Sequence, residues 1–545
     1  MIYPWHKIPD DIRNDLLPST TGWQHLLDLA VRTFESAEQS PAHRDFLVNL
    51  GSGLITASWE EDPLALHLIN QLQSVDKALE HLDVPVRAFL NSIRKHTTLP
   101  DAGQAAALDA AASRMDYATL IAEIDQGMRS EPGNLFWIYL GTRAAIGDGR
   151  FEWLEQRVLE HPSLPEPFRD ALLADCALLR GDPGVAATLY EDALSHLPLL
   201  TWRERMGQAL HLLGRTDEAM TAWESVLAAR PWHVQRWLVR DSVRRGLDVA
   251  GDFPAGPGVV LLYTWNGGEK IDLTLRALSL AQWPETARIL VADNGSTDGV
   301  TPQILAKWAQ HFAGRLRVVS LPCNIGAPAA RNWLLSDPET RQSEWLAFLD
   351  DDVLVPPDWL QRFGTVMRAM PEHGVYGCAI LRHGRLWCFQ GADMHLLPPS
   401  ESAGPGMPKA PVHMQVANWA EEQGNFGQYS YSRPCVHVSG CCHIFRRENM
   451  DKAGAFDVRF SPSQVDDFEH DIRMFSQGDV PCYHGSLAVR HMHATGLSIR
   501  QSLPKAMNAY ANHLKLQSLY PRPQFDQLRE RNQGLLLQDI MRRQR

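Results

Sequence analysis

The sequence is poor in cysteine, and none of its cysteines is spaced as a ligand pair. Its eight cysteines are scattered, only Cys441 and Cys442 are adjacent, and no CxxC occurs. Neither a zinc site nor a disulfide framework is expected, and a reducing compartment fits best. Positive charge is also in deficit: 52 Lys and Arg stand against 64 Asp and Glu, a formal net charge of −12. Non-specific nucleic-acid binding is therefore a poor first reading, and an anionic substrate would need a local basic group or a metal ion. No run of about 18 apolar residues occurs, so no membrane span is expected. The opening stretch MIYPWHKIPDDIRNDLL lacks the apolar core of a signal peptide, and the expectation is a cytoplasmic protein.

What is present is the composition of a globular protein, 44% hydrophobic and 21% charged, over 545 residues. That length implies two or three domains. Residues 1–250 repeat apolar positions at helical spacing, as in GWQHLLDLAVRTFESAEQ, and show little strand-like alternation. A repeat emerges near their end, clearest over 165–235: Gly181, Ala186, Tyr190 and Pro198 recur 33 residues later as Gly214, Ala219, Trp223 and Pro231. The pattern resembles the tetratricopeptide repeat, in which small residues let paired helices approach and the proline ends the second helix. After the linker GLDVAGDFPAGPG the periodicity changes. VVLLY, ARILVAD, RLRVVSL and WLAFLD are short apolar segments separated by helical stretches such as KIDLTLRALSLAQ. That alternation predicts a mostly parallel sheet covered on both faces, with ligands at the carboxyl ends of its strands.

Each of those ends carries a polar cluster. The first holds Thr264 and Asn266, the second Asp293 in ADNGSTDG, the third leads to Arg331 in CNIGAPAARN, and the fourth ends in Asp350, Asp351 and Asp352. DNGSTDG alone is ordinary turn chemistry, and a lone arginine at a helix start is ordinarily solvated or ion-paired. Three consecutive carboxylates after an apolar strand repel one another and call for a compensating charge. A hard divalent cation, Mg²⁺ or Mn²⁺, suits oxygen ligands of this kind and commonly shares them with substrate phosphates.

Taken in order, VVLLYTWN, ILVADNGSTDG, NIGAPAARN, FLDDDVLVPPDWL and GAFDVRFSPSQVDDFEHDIR resemble family 2 glycosyltransferases with the GT-A fold over residues 256–500. The resemblance implies transfer of a sugar from a nucleotide-diphosphate donor to an acceptor hydroxyl, with inversion. It implies that Thr264, Asn266, Asp293 and Arg331 contact the donor's base and ribose. Asp350 would lie towards the ribose and Asp352 on the metal, with Asp351 able to take either part. Asp466 and Asp467 match the acidic pair that carries the general base, Asp467 being favoured. They stand where Glu-Asp is the commoner pair. His493 has the H-x-x-G-x-S spacing with Gly496 and Ser498, and His491 competes for the same position as metal ligand. Asp466 and Asp467 could also simply cap a helix.

Trp387, Trp419, Tyr429 and Tyr431 are candidates for stacking on sugar faces or for plain packing. Cys441 and Cys442 are assigned to packing. Residues 501–545 read as a helical tail ending in the basic Arg542, Arg543 and Arg545, with a charged surface as the default. A protein or a surface glycan is the candidate acceptor, and the helical repeats are candidates for binding a protein or dimerising the enzyme. Two other classes compete with this reading. A nucleotidyltransferase should carry a well-spaced glycine-rich loop and basic residue after the first strand, which YTWNGGEK meets only in part. A protein-binding scaffold with an inactive sheet domain should have lost its acidic residues.

Overall fold

The computed structural model describes residues 3–80, 82–253, 256–399, 412–492 and 503–545. The chain forms two compact units, Met1–Arg236 with Gly424–Gln428, and Trp237–Gln423 with Tyr429–Arg545.

In the first unit, the described residues up to Arg236 form helices and no β-strand. The 33-residue repeat occupies equivalent places in two successive helix pairs, Glu166–Leu179 with Pro183–His196 and Leu200–Leu212 with Thr216–Ala229. Ala186 and Ala219 are fully buried where the paired helices approach, and so are Tyr190 and Trp223. Gly181 and Gly214 take left-handed φ values of 84° and 77° in the turn between the helices of each pair. A Cβ would strain that turn.

The second unit is built on one large sheet. Its strands are β1 (Gly258–Thr264), β2 (Ala287–Asp293), β3 (Leu316–Ser320), β4 (Trp345–Leu349), β5 (Val353–Leu354), β6 (Val375–Arg382) and β7 (Arg385–Gly391), followed, after the small hairpin β8 (His395–Leu396) and β9 (Val416–Ala417), by β10 (Ser432–Pro434), β11 (Cys442–Arg446) and β12 (Cys482–His491). The order is β10-β12-β6-β11-β4-β1-β2-β3, with β5 on β12 and β7 on β6. Strands β3, β2, β1 and β4 run parallel, β11 is reversed between β4 and β6, and β6 and β12 are again parallel. The expected mostly parallel sheet is thus present, with an antiparallel insertion that no sequence pattern announced. The parallel strands are apolar almost throughout because helices such as Gly268–Ser279 and Trp359–Ala369 bury both faces.

The C-terminal helices Leu503–Leu519 and Arg522–Arg543 differ from a charged surface tail. Leu516, Tyr520, Phe525 and Leu528 join Phe460, Ile472 and Phe475 in a second apolar core. Arg543 is buried, its guanidinium bound to Asp539 and Asp241 at 2.9 Å and to the Ser432 carbonyl at 2.7 Å. Arg542 remains exposed.

Candidate active site

The register of the sheet assembles the site. Thr264 pairs with Asp293 at the ends of β1 and β2, and Phe348 of β4 lies opposite Leu261, so the aspartate triplet emerges at the same edge. The Thr264 hydroxyl donates to the Asp351 carboxylate, and Thr274 donates to the Asp351 carbonyl at 2.9 Å. Asp352 points the other way. Its Oδ2 accepts from Lys270 Nζ at 2.9 Å and its Oδ1 lies 3.0 Å from His491 Nε2. Asp350 Oδ1 lies 3.5 Å from the Arg331 guanidinium.

These surroundings divide the three carboxyls. Burial pushes Asp350 up to about 6, with Arg331 opposing the rise. Burial pushes Asp351 up to about 7 despite the Thr264 bond. Burial would raise Asp352 too, but the bonds and charges of His491 and Lys270 outweigh it and hold that group below the usual carboxylate range.

The β1 and β2 loops are laced together. The Asn266 side chain accepts from the Thr297 and Asp298 amides at 2.7 and 3.2 Å, and its own amide donates to the Ser296 hydroxyl at 2.9 Å. Asp293 is buried and accepts from the Ser296 amide at 2.9 Å, which fixes the turn it begins. Asn294 and Asn324 join this lattice through a 3.0 Å side-chain bond.

Arg331 is buried among the rings of Tyr263, Phe348 and Phe456. It donates to Asp466 Oδ2 at 2.7 Å and to the Gly440 carbonyl at 3.4 Å. It therefore bridges the triplet and the acidic pair. Burial alone would weaken its charge, but the surrounding acidic groups, including Asp466 and Asp350, more than offset that and keep it protonated.

Asp466 and Asp467 open the helix Asp466–Gln477. Gln464 and Val465, just before it, have φ values of 81° and 75°. A β-branched residue in that region is strained, and such strain recurs where a turn has to aim functional groups. Burial raises Asp466 to about 6, opposed by Arg331. Asp467 goes the other way: burial is outweighed by His437, by Arg331 and by the Gly440 amide, which donates to its Oδ2 at 2.9 Å. His437 is itself anchored, its Nδ1 2.8 Å from Asp471 Oδ2, and that carboxylate raises its pKa despite burial. Two neighbouring carboxyls are thus pushed apart in acidity, Asp467 towards the ionised form and Asp466 towards the protonated one.

Tyr263, Arg331, Asp350, Asp351, Asp352, His437, Asp466, Asp467 and His491 all line one cleft of about 400 Å³. Asp350, Asp352 and His491 offer two oxygens and a nitrogen within 4.8 Å of one another. A set of carboxylates and one imidazole fits a divalent ion such as Mn²⁺. His493 lies outside the described residues, as do Gly496 and Ser498. Tyr429 and Tyr431 are buried and pack with Tyr483, so they present no face to a sugar. Cys441 and Cys442 are buried as expected, and burial pushes the Cys441 thiol up. Lys270, His437, Asp471 and Gln390, whose Oε1 lies 3.1 Å from His491 Nδ1, were not singled out from the sequence. Lys270 closes the YTWNGGEK segment.

Residues 259–454 match the family Glycosyl transferase family 2. The O-antigen biosynthesis protein RfbC of Myxococcus xanthus is 26% identical over 209 residues, 38% of this chain and 15% of that protein. The N-acetylglucosaminyl-diphospho-decaprenol L-rhamnosyltransferase of Mycobacterium tuberculosis is 26% identical over 250 residues, 44% of this chain and 77% of that protein. The chain thus spans only a small part of the first relative's length. Among solved structures, GalNAc-T7 with UDP, GalNAc and Mn²⁺ aligns over 49% of each chain at 13% identity and a TM-score of 0.38. The mannosyltransferase PcManGT from Pyrobaculum calidifontis aligns over 56% of this chain and 80% of its own at 17% identity and a TM-score of 0.35. The aspartate triplet and Arg331 of the acidic cleft therefore fall within the segment that matches Glycosyl transferase family 2, and an all-helical region precedes that segment in the same chain.

Proposed function

We propose that the protein transfers a sugar from a nucleotide-diphosphate donor to an acceptor hydroxyl, with inversion and with dependence on Mn²⁺ or Mg²⁺. The observation that carries this reading is the meeting, in one cleft, of the Asp350, Asp352 and His491 donor atoms with the Asp466–Asp467 pair. Thr264, Asn266 and Asp293 are assigned to the base and ribose of the donor, and Asp350, expected towards the ribose, to the metal set. Arg331, first expected on the donor as well, has its guanidinium committed to Asp466 and Asp350, and its part is to hold the two acidic groups in place. Asp350, Asp352 and His491 would hold the metal, which when bound offsets the charge gathering on the departing diphosphate.

Asp467 is the general base. One of its oxygens is fixed by the Gly440 amide, and the positive character of His437 keeps it ionised. It takes the acceptor's proton as the hydroxyl attacks the anomeric carbon from the face opposite the leaving group. A positioned base contributes roughly 10²–10⁴-fold. The buried Asp466 neighbours it as a group of higher pKa. The two named relatives, an O-antigen biosynthesis protein and an L-rhamnosyltransferase, favour a saccharide acceptor over a protein. The helical region is assigned to holding a partner or a second copy.

Purified full-length protein offered a panel of nucleotide sugars should turn one over in the presence of Mn²⁺. Asp467→Asn should lower that rate by roughly 10²–10⁴-fold while leaving donor binding intact. Turnover that survives both chelation and Asp352→Ala would overturn the reading.

A further inference from the structure

Lys270 stands in the first turn of the helix Gly268–Ser279, immediately after β1, with its ammonium 2.9 Å from Asp352 Oδ2. The other oxygen of Asp352 is 3.0 Å from His491 Nε2. Both oxygens of the central acidic ligand are therefore engaged by the protein's own groups. A divalent ion bound to Asp352 at about 2.1 Å would lie only a few ångströms from that ammonium, and the two cations would repel. That repulsion favours displacement of whichever cation is held more loosely.

The neighbours differ in their freedom to move. Arg331 is buried and tied to Asp466 and Asp350. His491 is buried and held at its other nitrogen by Gln390. The Lys270 side chain is 41% exposed and carries its charge on a flexible four-carbon stem. Lys270 is thus the neighbour of Asp352 that can swing to another anion at least cost.

We propose that Lys270 is a tethered cation that neutralises Asp352 in the metal-free protein and passes to the donor's diphosphate when metal and donor bind. This rests on the donor and metal reading above and deepens it. The displaced ammonium stays within reach of the phosphate oxygens that the metal gathers, so the leaving group meets two sources of positive charge. Metal binding alone weakens the Lys270–Asp352 pair, whereas metal binding with donor replaces it by a Lys270–phosphate pair. Metal and donor are then positively coupled, each raising the other's affinity by the same factor.

The test is Mn²⁺ titration of the full chain, followed by the electron paramagnetic resonance of the free ion, for the native protein, Lys270→Met, Lys270→Arg and Asp352→Ala. Calorimetric titration with UDP and with GDP at saturating Mn²⁺ follows. Lys270→Met should bind Mn²⁺ alone roughly three- to tenfold more tightly than the native protein. It should bind whichever nucleotide the native protein prefers more weakly by a similar factor, while Lys270→Arg stays near native in both. Opposite changes are the signature, because a merely structural lysine would weaken both or neither. Unchanged or weakened Mn²⁺ binding by Lys270→Met, against native binding that Asp352→Ala abolishes, overturns the proposal and leaves the metal site standing. Absence of any Asp352-dependent Mn²⁺ binding overturns both.

Discussion

A single backbone position governs where the base can lie. Gly440 donates its amide to Asp467 Oδ2, and a Cβ at residue 440 would come within 2.6 Å of that oxygen and 2.7 Å of the Asp467 Cβ. Gly440→Ala must therefore move the carboxylate. The expected result is a fall in the transfer rate on the order of 10²-fold, because a displacement of about 1 Å is enough to spoil a near-attack geometry. Nucleotide binding should not change, since the donor side is built by other loops. Measuring kcat and nucleotide affinity on the same preparation checks this, and a native rate would contradict the assignment of Asp467. Residues of this kind differ in how visible they are in the sequence. Asp350–Asp352 and Asp466–Asp467 could be read because adjacent carboxylates beside apolar segments are conspicuous on their own. Lys270 and His437 could not, because their meaning lies in partners 82 and 34 residues away. Arg331 was found, but its burial and its hold on Asp466 depend on three rings brought from separate parts of the sheet unit.

At the scale of elements, the turn before the base helix and the last helix show what local pattern leaves out. The sequence SPSQVDD suggests a turn and a cap, yet nothing in it predicts left-handed backbone at Gln464 and Val465. That geometry is imposed by surroundings, including the Asn512 side chain, which donates to the Ser463 and Gln464 carbonyls at 2.9 and 3.1 Å. The helix Arg522–Arg543 looked like a basic tail because its end carries three arginines. Burial of Arg543 depends on Asp241, which lies 302 residues earlier. Breaking a buried pair by removing one partner costs about 3–5 kcal/mol. Arg543→Met should fall near the low end, about 3 kcal/mol, because Asp241 keeps Arg244 and Asp539 keeps Arg542. Urea unfolding followed by tryptophan fluorescence reads this, and a loss below about 1 kcal/mol, the worth of an exposed pair, would show that the arginine is solvated.

Across the whole molecule, the division into a helical part and a sheet part was legible because the apolar period changes from helical spacing to short continuous runs near residue 257. The strands β1 to β4 were legible as the same runs, but their order in the sheet was not. The reversed β11 and the parallel β6–β12 pair were not legible either, since their place is set by long-range register and not by local composition. That insertion matters for function. Strand β12 ends in His491, which pairs with Val353 of β5 just after the triplet, so the sheet's second half delivers the third metal-ligand candidate to the first half's aspartates. The central claim is that this convergence forms a divalent-metal and nucleotide-diphosphate site. Anomalous diffraction from a crystal soaked in Mn²⁺ with UDP or GDP tests it directly. The expected result is a manganese peak bounded by Asp350, Asp352 and His491 with diphosphate density beside it. A cleft without a peak under saturating Mn²⁺ and nucleotide, with Lys270 still on Asp352, would contradict it.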